Sequence, residues 1–497
     1  MLLGEALRGG EGYRDIWLPE QPRHVKYPPF YPGILAALGL AGGVQLFKLA
    51  SLLFTTAAVG LTALVGKTLV GPRGALLAAG AVALNPTLLE YSHYVLSEAA
   101  FTVLVMTTLL LAARALPGLG EGAAPADGHG TAAERSTLWF ALAIAAAAAA
   151  FLTRTAGLVL LAALPLAALS SGRWRRGAAA AAAGAGVAAA WAFYQRLAVP
   201  DAAGYLGQLV MRNPYDPAAG RVDLAGLAAR AATNAWRYVS EVVPDATLGT
   251  QTAAGQGGGG LALFGIALGG LALAGWAMRA MKRIALPELF ALLYVGLIVV
   301  WPDVWTDRRF LLPVLPLVVL YAVRGGGALS ARLGRAGRWV PIGLAAVLVV
   351  AGVRAEARLV PLRIDCMASY RAGSPCDPPA MASFYEAARW ARDHTPAEAV
   401  VANRKPSLFY WFGRRRGDLY PYSGETELVI RGLEQMGARY VVVDQISGTT
   451  IRYLVPAIQQ HRDRFLPLHQ TGDPPTLVFE FVTRPVTAMA PLRGDAP

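Results

Sequence analysis

Ten aliphatic runs separated by short polar stretches dominate the chain: residues 44–66, 75–89, 95–116, 138–152, 156–169, 178–199, 261–278, 286–301, 310–323 and 340–353. A membrane span needs about 20 mostly apolar residues, and several of these runs fall a few short. The pattern therefore predicts ten membrane-spanning helices with loosely defined edges. The run 31–40 is shorter and bounded by prolines, which predicts a juxtamembrane or re-entrant helix. Three polar segments interrupt the series. Residues 117–136, rich in Gly, Ala and Pro, read as a linker. Residues 201–260 form a large loop with an amphipathic helix over 224–243 and a glycine run at 257–260. After 381 the periodicity changes. There helices over 382–394, 425–436 and 451–465 alternate with strands over 399–402, 440–444, 466–469 and 477–482, which predicts a small α/β domain.

The expected fold is therefore mainly α: a polytopic membrane helix bundle with a C-terminal external α/β domain. It divides into a membrane domain over 1–354 with external loops at 1–43 and 200–260, a linker over 355–380, and the α/β domain over 381–497. Composition agrees, with 55% hydrophobic and only 15% charged residues and a mean hydropathy of +0.42.

The net charge of +13 would fit a nucleic-acid partner, but its placement argues against one. Lys67, Arg73, Arg114, Arg135, Arg173, Arg175, Arg176, Arg279, Lys282, Arg283, Arg324, Arg332, Arg335 and Arg338 all fall in alternate loops, and the opposite loops are nearly bare. This is the positive-inside asymmetry, which puts the basic loops in the cytoplasm and the α/β domain outside the plasma (inner) membrane. Both ends of the ten-span array then lie outside. No apolar leader precedes the first span, so an upstream span entering from inside is expected, making eleven. Cys366 and Cys376, ten residues apart on the external side, are expected to form a disulfide.

Candidate chemistry gathers in the sparsely charged loops. His24-Val25-Lys26-Tyr27-Pro28-Pro29-Phe30-Tyr31-Pro32 is stiffened by three prolines, and its lysine suits an anion at a water–lipid boundary. Between Asn85 and Glu98 lie Glu90, His93, Tyr94 and Ser97. If that stretch is helical, they share a face with Glu98 and could take a proton or hold a divalent cation, for which His24 and His93 are the imidazole candidates. The competing reading is a polar helix start capped by Ser97. A charge at the start of a span is expensive, which favours function for Glu98. Arg308 and Arg309 break the orientation rule and need a reason, either an anion or pairing with Asp303 or Asp307. Arg154 raises the same question more weakly.

The order GEGYRD, then H-x-KYPP-x-YP, then NPTLLEYSHYVLSE, then DRRFLLPVLP, then an external α/β domain, resembles the GT-C glycosyltransferases. The similarity is greatest to the bacterial protein-mannosyltransferase-like and aminoarabinose-transferase-like branch. The resemblance implies an enzyme that takes a sugar from a polyprenyl phosphate at the outer leaflet and passes it to a lipid, glycan or protein acceptor with inversion at the anomeric carbon. It matches Lys26, beside Tyr27, to the lysine that contacts the donor phosphate, and Glu98 to an acidic position of the second external loop. It also implies an Asp in the first external loop, and that position falls upstream of Met1, so the main catalytic acid is expected there.

The charge distribution carries a mechanism of its own. Lys26, Arg308 and Arg309 would stabilise the phosphate leaving group, and Glu98 or Glu90 would receive the acceptor's proton. Two other classes share some of these features. A transporter would place charges near mid-span and repeat its halves, and a lipid-linked polymer ligase would carry external charges without the KYPP element.

Overall fold

A computed structural model of the protein describes residues 1–39, 43–116, 132–199, 205–250, 258–334, 337–369 and 377–483. It resolves into two compact units that each draw on non-contiguous parts of the chain.

The first unit comprises Val25–Val210 and Val222–Arg358 with Met1, and it is a helix bundle. Six of its helices are long and apolar enough to cross a membrane: Val44–Ala83, Ser97–Ala115, Ala133–Thr153, Trp174–Ala198, Gly259–Ala280 and Val340–Arg358. Phe30–Gly39, Thr155–Ser170 and Leu286–Val300 are shorter apolar helices, and Leu315–Leu333 completes the set. Each expected span thus falls in a helix, but with shifted edges. The first two lie in one continuous segment, broken at Gly71, whose φ of 76° is helix-incompatible, and at Pro72, which has no N–H to donate. That segment stops at Ala83 and not at residue 89, because Asn85 caps a new helix, Pro86–Ser92, by accepting from the Leu88 amide at 2.9 Å. The short helix Phe30–Gly39 packs Tyr31 and Leu35 on Phe47 and Ala100. The amphipathic helix runs over Leu224–Arg237, capped by Asp223, then winds through a π-turn into Val243–Leu248. The expected glycine run at 257–260 instead opens the helix Gly259–Ala280. Most of the expected 117–136 linker lies outside the described residues.

Close packing depends on glycine where two helices cross. A Cβ on Gly275 would collide with the Tyr321 carbonyl, and one on Gly325 with the Leu271 carbonyl. The helices Gly259–Ala280 and Leu315–Leu333 therefore touch backbone to backbone, the arrangement that small residues permit in lipid.

The second unit comprises Leu2–His24, Met211–Arg221 and Leu359–Pro497. Its centre is a four-stranded sheet of β1 (Val401–Ala402), β2 (Tyr440–Val443), β3 (Phe465–Thr471) and β4 (Thr476–Phe481), in the order β1-β2-β4-β3. β1 and β2 run parallel, and the remaining pairs are antiparallel. One layer of core holds Val429, Ile430, Leu433, Tyr453 and Leu454 against the sheet, and another holds Phe384, Ala387, Ala388, Ala391 and Phe409. Two elements depart from expectation. The aromatic stretch Pro406–Gly413 is a helix. The expected helix over 451–465 ends at Gln460, and Phe465 instead opens β3. The N-terminal helix Leu2–Arg8 joins this unit: Leu2, Ala6 and Ile16 pack with Trp17, Tyr410 and Trp411, and Glu5 pairs with Arg414 at 2.8 Å. Cys376 lies outside the described residues, so the expected disulfide does too.

Gly325→Val should lower the melting temperature of detergent-solubilised protein by several degrees, because it forces the two helices apart. Gly327→Val, where an added Cβ meets open space, should change it little. Equal effects of both substitutions would contradict the backbone-contact account.

Candidate functional site

The candidate residues of the first unit converge through helix topology. Thr155–Ser170 and Trp174–Ala198 pack as an antiparallel hairpin across a three-residue turn. The second helix is the longer of the two, so its end runs past Arg154 at the start of the first. Gln195, near that end, donates from Nε2 to the Val25 carbonyl at 2.7 Å and so anchors the Lys26 loop there. Helices Ser97–Ala115 and Ala132–Thr153 pack together in the same up-and-down fashion, and Glu98 meets Arg154 at 2.7 Å. Lys26, Glu98 and Arg154 therefore share one end of the bundle.

Glu98 is 3% exposed. Its Oε1 pairs with Arg154, which also donates to the Ser97 hydroxyl at 3.0 Å. Ser97 is thus an acceptor here, and the helix has no side-chain cap, contrary to the capping alternative. Oε2 of Glu98 is buried with no hydrogen-bond partner among the described residues. Half of this carboxylate is fixed and half is available. Tyr294 and Tyr31 are close enough to interact with its charge.

Glu90 does not share a face with Glu98. The first helix ends at Ser92 and the next begins at Ser97, so the stretch between them is not helical. Glu90 instead pairs with Arg308 at 2.9 Å, and Asp245 stands 3.6 Å from the same guanidinium. Arg308 thus finds its carboxylates on two other elements and not in Asp303 or Asp307. Asp307 accepts from the backbone amide of Arg309 at 2.9 Å, and Asp303 offers only its carbonyl, to Arg237 at 3.1 Å.

Arg309 differs from Arg308. Its guanidinium lies 4.9 Å from the Phe310 ring, and it forms no ion pair among the described residues. Its Nε is buried without a hydrogen-bond partner among them. Tyr91 and Tyr238 border this cluster. Burial first, and the Asp307 carboxylate second, push both phenols well above their usual range, so at neutral pH they keep their protons. Lys26 is exposed beside Tyr27, with Nζ 5.7 Å from the ring centroid, and likewise forms no ion pair among the described residues. Of the three candidate cations, Lys26 and Arg309 are therefore the ones without an ion pair among the described residues. Arg308 is already balanced.

The histidines go elsewhere. His24 belongs to the second unit, 3% exposed, with Nδ1 on Asp15 and its ring edge-on to Tyr13. His93 is exposed on the first unit. Among the described residues no group of three His, Cys, Asp or Glu side chains is placed to hold a metal ion.

A second buried carboxylate gives the contrast. Glu288 is fully buried at the other end of the bundle, where Arg279, the Tyr321 hydroxyl and the Ala285 amide satisfy both of its oxygens. A carboxylate with both oxygens engaged stitches helix ends together; the open oxygen of Glu98 does not. Arg154 was the weakest of the sequence candidates, and Asp245, Tyr91, Tyr238 and Tyr294 carried no local signal, since they act through tertiary neighbours.

The whole fold matches solved membrane glycosyltransferases at low sequence identity. The Archaeoglobus fulgidus oligosaccharyltransferase AglB in complex with an inhibitory peptide and a dolichol-phosphate aligns with a TM-score of 0.54 and 14% identity over 99% of this chain and 70% of that one. ArnT from Cupriavidus metallidurans bound to undecaprenyl phosphate aligns with a TM-score of 0.54 and 14% identity over 97% of this chain and 92% of that one. Another Archaeoglobus fulgidus oligosaccharyltransferase structure, a complex with Zn and sulfate, aligns with a TM-score of 0.54 and 15% identity over 97% of this chain and 68% of that one. The chain thus has the GT-C fold, a membrane helix bundle followed by a C-terminal domain. No protein-family model matches the sequence, and no curated protein sequence matches it.

Arg154→Gln should destabilise the protein by about 3–5 kcal/mol, since it leaves the Glu98 carboxylate buried without its cation. Adding Glu98→Gln to it should recover most of that loss. Thermal melting of the two variants in detergent checks this, and a double variant no more stable than Arg154→Gln would show that the pair is not what fixes these helices.

Proposed function

We propose that this protein is an integral membrane glycosyltransferase that moves a sugar from a polyprenyl-phosphate donor to an acceptor at the outer face of the membrane, by a single inverting displacement. The observation that carries the proposal is the pairing of the GT-C fold with two uncompensated cations, Lys26 and Arg309, and a half-open carboxylate, Glu98, all in one helix bundle. The fold neighbours that hold dolichol-phosphate and undecaprenyl phosphate make a lipid-linked donor the natural substrate class.

The chemistry follows from charge. As the glycosidic C–O bond breaks, negative charge grows on the departing polyprenyl phosphate. The Lys26 ammonium and the Arg309 guanidinium stabilise that charge most in the transition state. The acceptor hydroxyl attacks the opposite face of the anomeric carbon and loses its proton to a carboxylate. Oε2 of Glu98 can take it, while Arg154 holds Oε1 and so fixes the carboxylate's direction. Glu90 sets the position of Arg308 and stays engaged with it. The protonated phenols of Tyr91 and Tyr238 can donate to sugar or phosphate oxygens.

In this reading the basic loops face the cytoplasm, and the second unit lies on the far side of the plasma membrane. A cysteine introduced at Glu425 should then react with an impermeant maleimide in intact cells, and one at Arg175 should react only after permeabilisation. The reverse pattern would overturn the orientation.

The proposal is tested by transfer from a radiolabelled polyprenyl-phosphate sugar in membranes at matched expression. Lys26→Ala should cut turnover by at least about tenfold, the scale of one charge-assisted contact to phosphate. Lys26→Arg should rescue it only in part, since a planar fork does not reproduce a compact ammonium. Glu98→Gln should lower turnover with a smaller effect on donor binding. Parent-level turnover by Lys26→Ala would remove the donor-phosphate role of this loop.

A further inference from the structure

The second unit carries a pocket of about 450 Å³ that the transfer chemistry does not use, lined by Asn213, Tyr215, Arg404, Ser447, Thr449 and Tyr453 among others. It forms where the short segment Met211–Arg221 closes against the loop after β2. Arg452 pairs with Asp216 at 2.8 Å, and the Tyr453 hydroxyl donates to the Tyr215 carbonyl at 3.0 Å, so both walls are tied down.

Within that frame the arginines differ. Arg452 is neutralised by Asp216. Arg404 forms no ion pair among the described residues. Its guanidinium lies between two phenol rings, 5.6 Å from the Tyr215 centroid and 5.5 Å from that of Tyr422. Its Nε donates to the Ser447 hydroxyl at 3.1 Å and the Thr449 hydroxyl at 2.8 Å. These contacts hold the guanidinium plane fixed while leaving its two terminal nitrogens without a protein partner among the described residues. Gly448 lines the same wall and has open space where a Cβ would be.

A pre-aimed guanidinium fork with adjacent hydroxyls suits a planar or tetrahedral anion. The exposed Tyr215 phenol beside it suits the C–H face of a sugar ring. We propose that this pocket is a binding site for an anionic saccharide, a sugar bearing a carboxylate or a phosphate. In it Arg404 takes the anion, Ser447 and Thr449 hold Arg404 in place, Tyr215 receives the ring, and Tyr453 holds the Tyr215 backbone. The proposal stands apart from the donor chemistry, since it involves neither Lys26 nor Glu98.

The test is calorimetric titration of the purified, detergent-solubilised full chain with glucuronic acid, glucose 6-phosphate, uncharged glucose and inorganic phosphate. At least one of the two anionic sugars should bind, more tightly than glucose and more tightly than phosphate alone. Which of the two binds better tells carboxylate from phosphate. Arg404→Gln should weaken that binding by at least about tenfold, the scale of a charge-assisted bidentate contact. Gly448→Leu, which fills open space, should block it with melting temperature and donor transfer unchanged. Failure of both anionic sugars to bind, inorganic phosphate binding as tightly as either, or binding that survives both substitutions would overturn the proposal.

Discussion

A carboxylate buried in an apolar helix bundle must either give up its charge or find a cation, and this constraint ties helix ends of the first unit together. Glu98 stands at the start of a span and is held by Arg154 across the junction of two others. Glu90 is held by Arg308, which also reaches Asp245. Each pair joins elements far apart in sequence, so the pairs determine which helix ends meet. At the opposite end Glu288 does the same with Arg279 and Tyr321. The two ends differ in completeness. Every oxygen of Glu288 is used, whereas Glu98 keeps one oxygen open, and Lys26 and Arg309 keep their charges unpaired among the described residues. The open oxygen of Glu98, Lys26 and Arg309 are the groups that the proposed transfer uses.

Much of this was legible in the sequence, for physical reasons. Aliphatic runs near the length of a bilayer crossing can be little else, so every expected span fell in a helix. The break at Asn85-Pro86 was missed in the span edges, although Asn followed by Pro is a strong local start signal. The amphipathic helix beginning at Leu224 was visible because its apolar positions repeat at helical spacing. The helix Pro406–Gly413 was not, because its run of aromatic residues has no period to read.

The site was legible by residue type but not by partner. Arg308 and Arg309 stood out because they break the charge asymmetry, yet nothing local said that one would be neutralised by Glu90 and the other would not. The assumed helical face joining Glu90 to Glu98 failed because His93–Leu96 is not helical, and so one expected cluster became two ion pairs. His24 looked like part of the Lys26 loop, but it is buried against Asp15 in the other compact unit. Pairings between residues more than fifty positions apart depend on how helices pack, and no local pattern encodes that.

The central claim is that this bundle breaks the bond between a sugar and a polyprenyl phosphate. The most direct measurement incubates purified protein with a polyprenyl-phosphate sugar of known anomeric configuration and a membrane extract as acceptor. It follows free polyprenyl phosphate by phosphorus NMR and the product anomer by proton NMR. The account predicts release of polyprenyl phosphate in step with a product of inverted configuration. Retention of configuration would contradict the single displacement, and no release from any lipid-linked sugar offered would contradict the transferase itself.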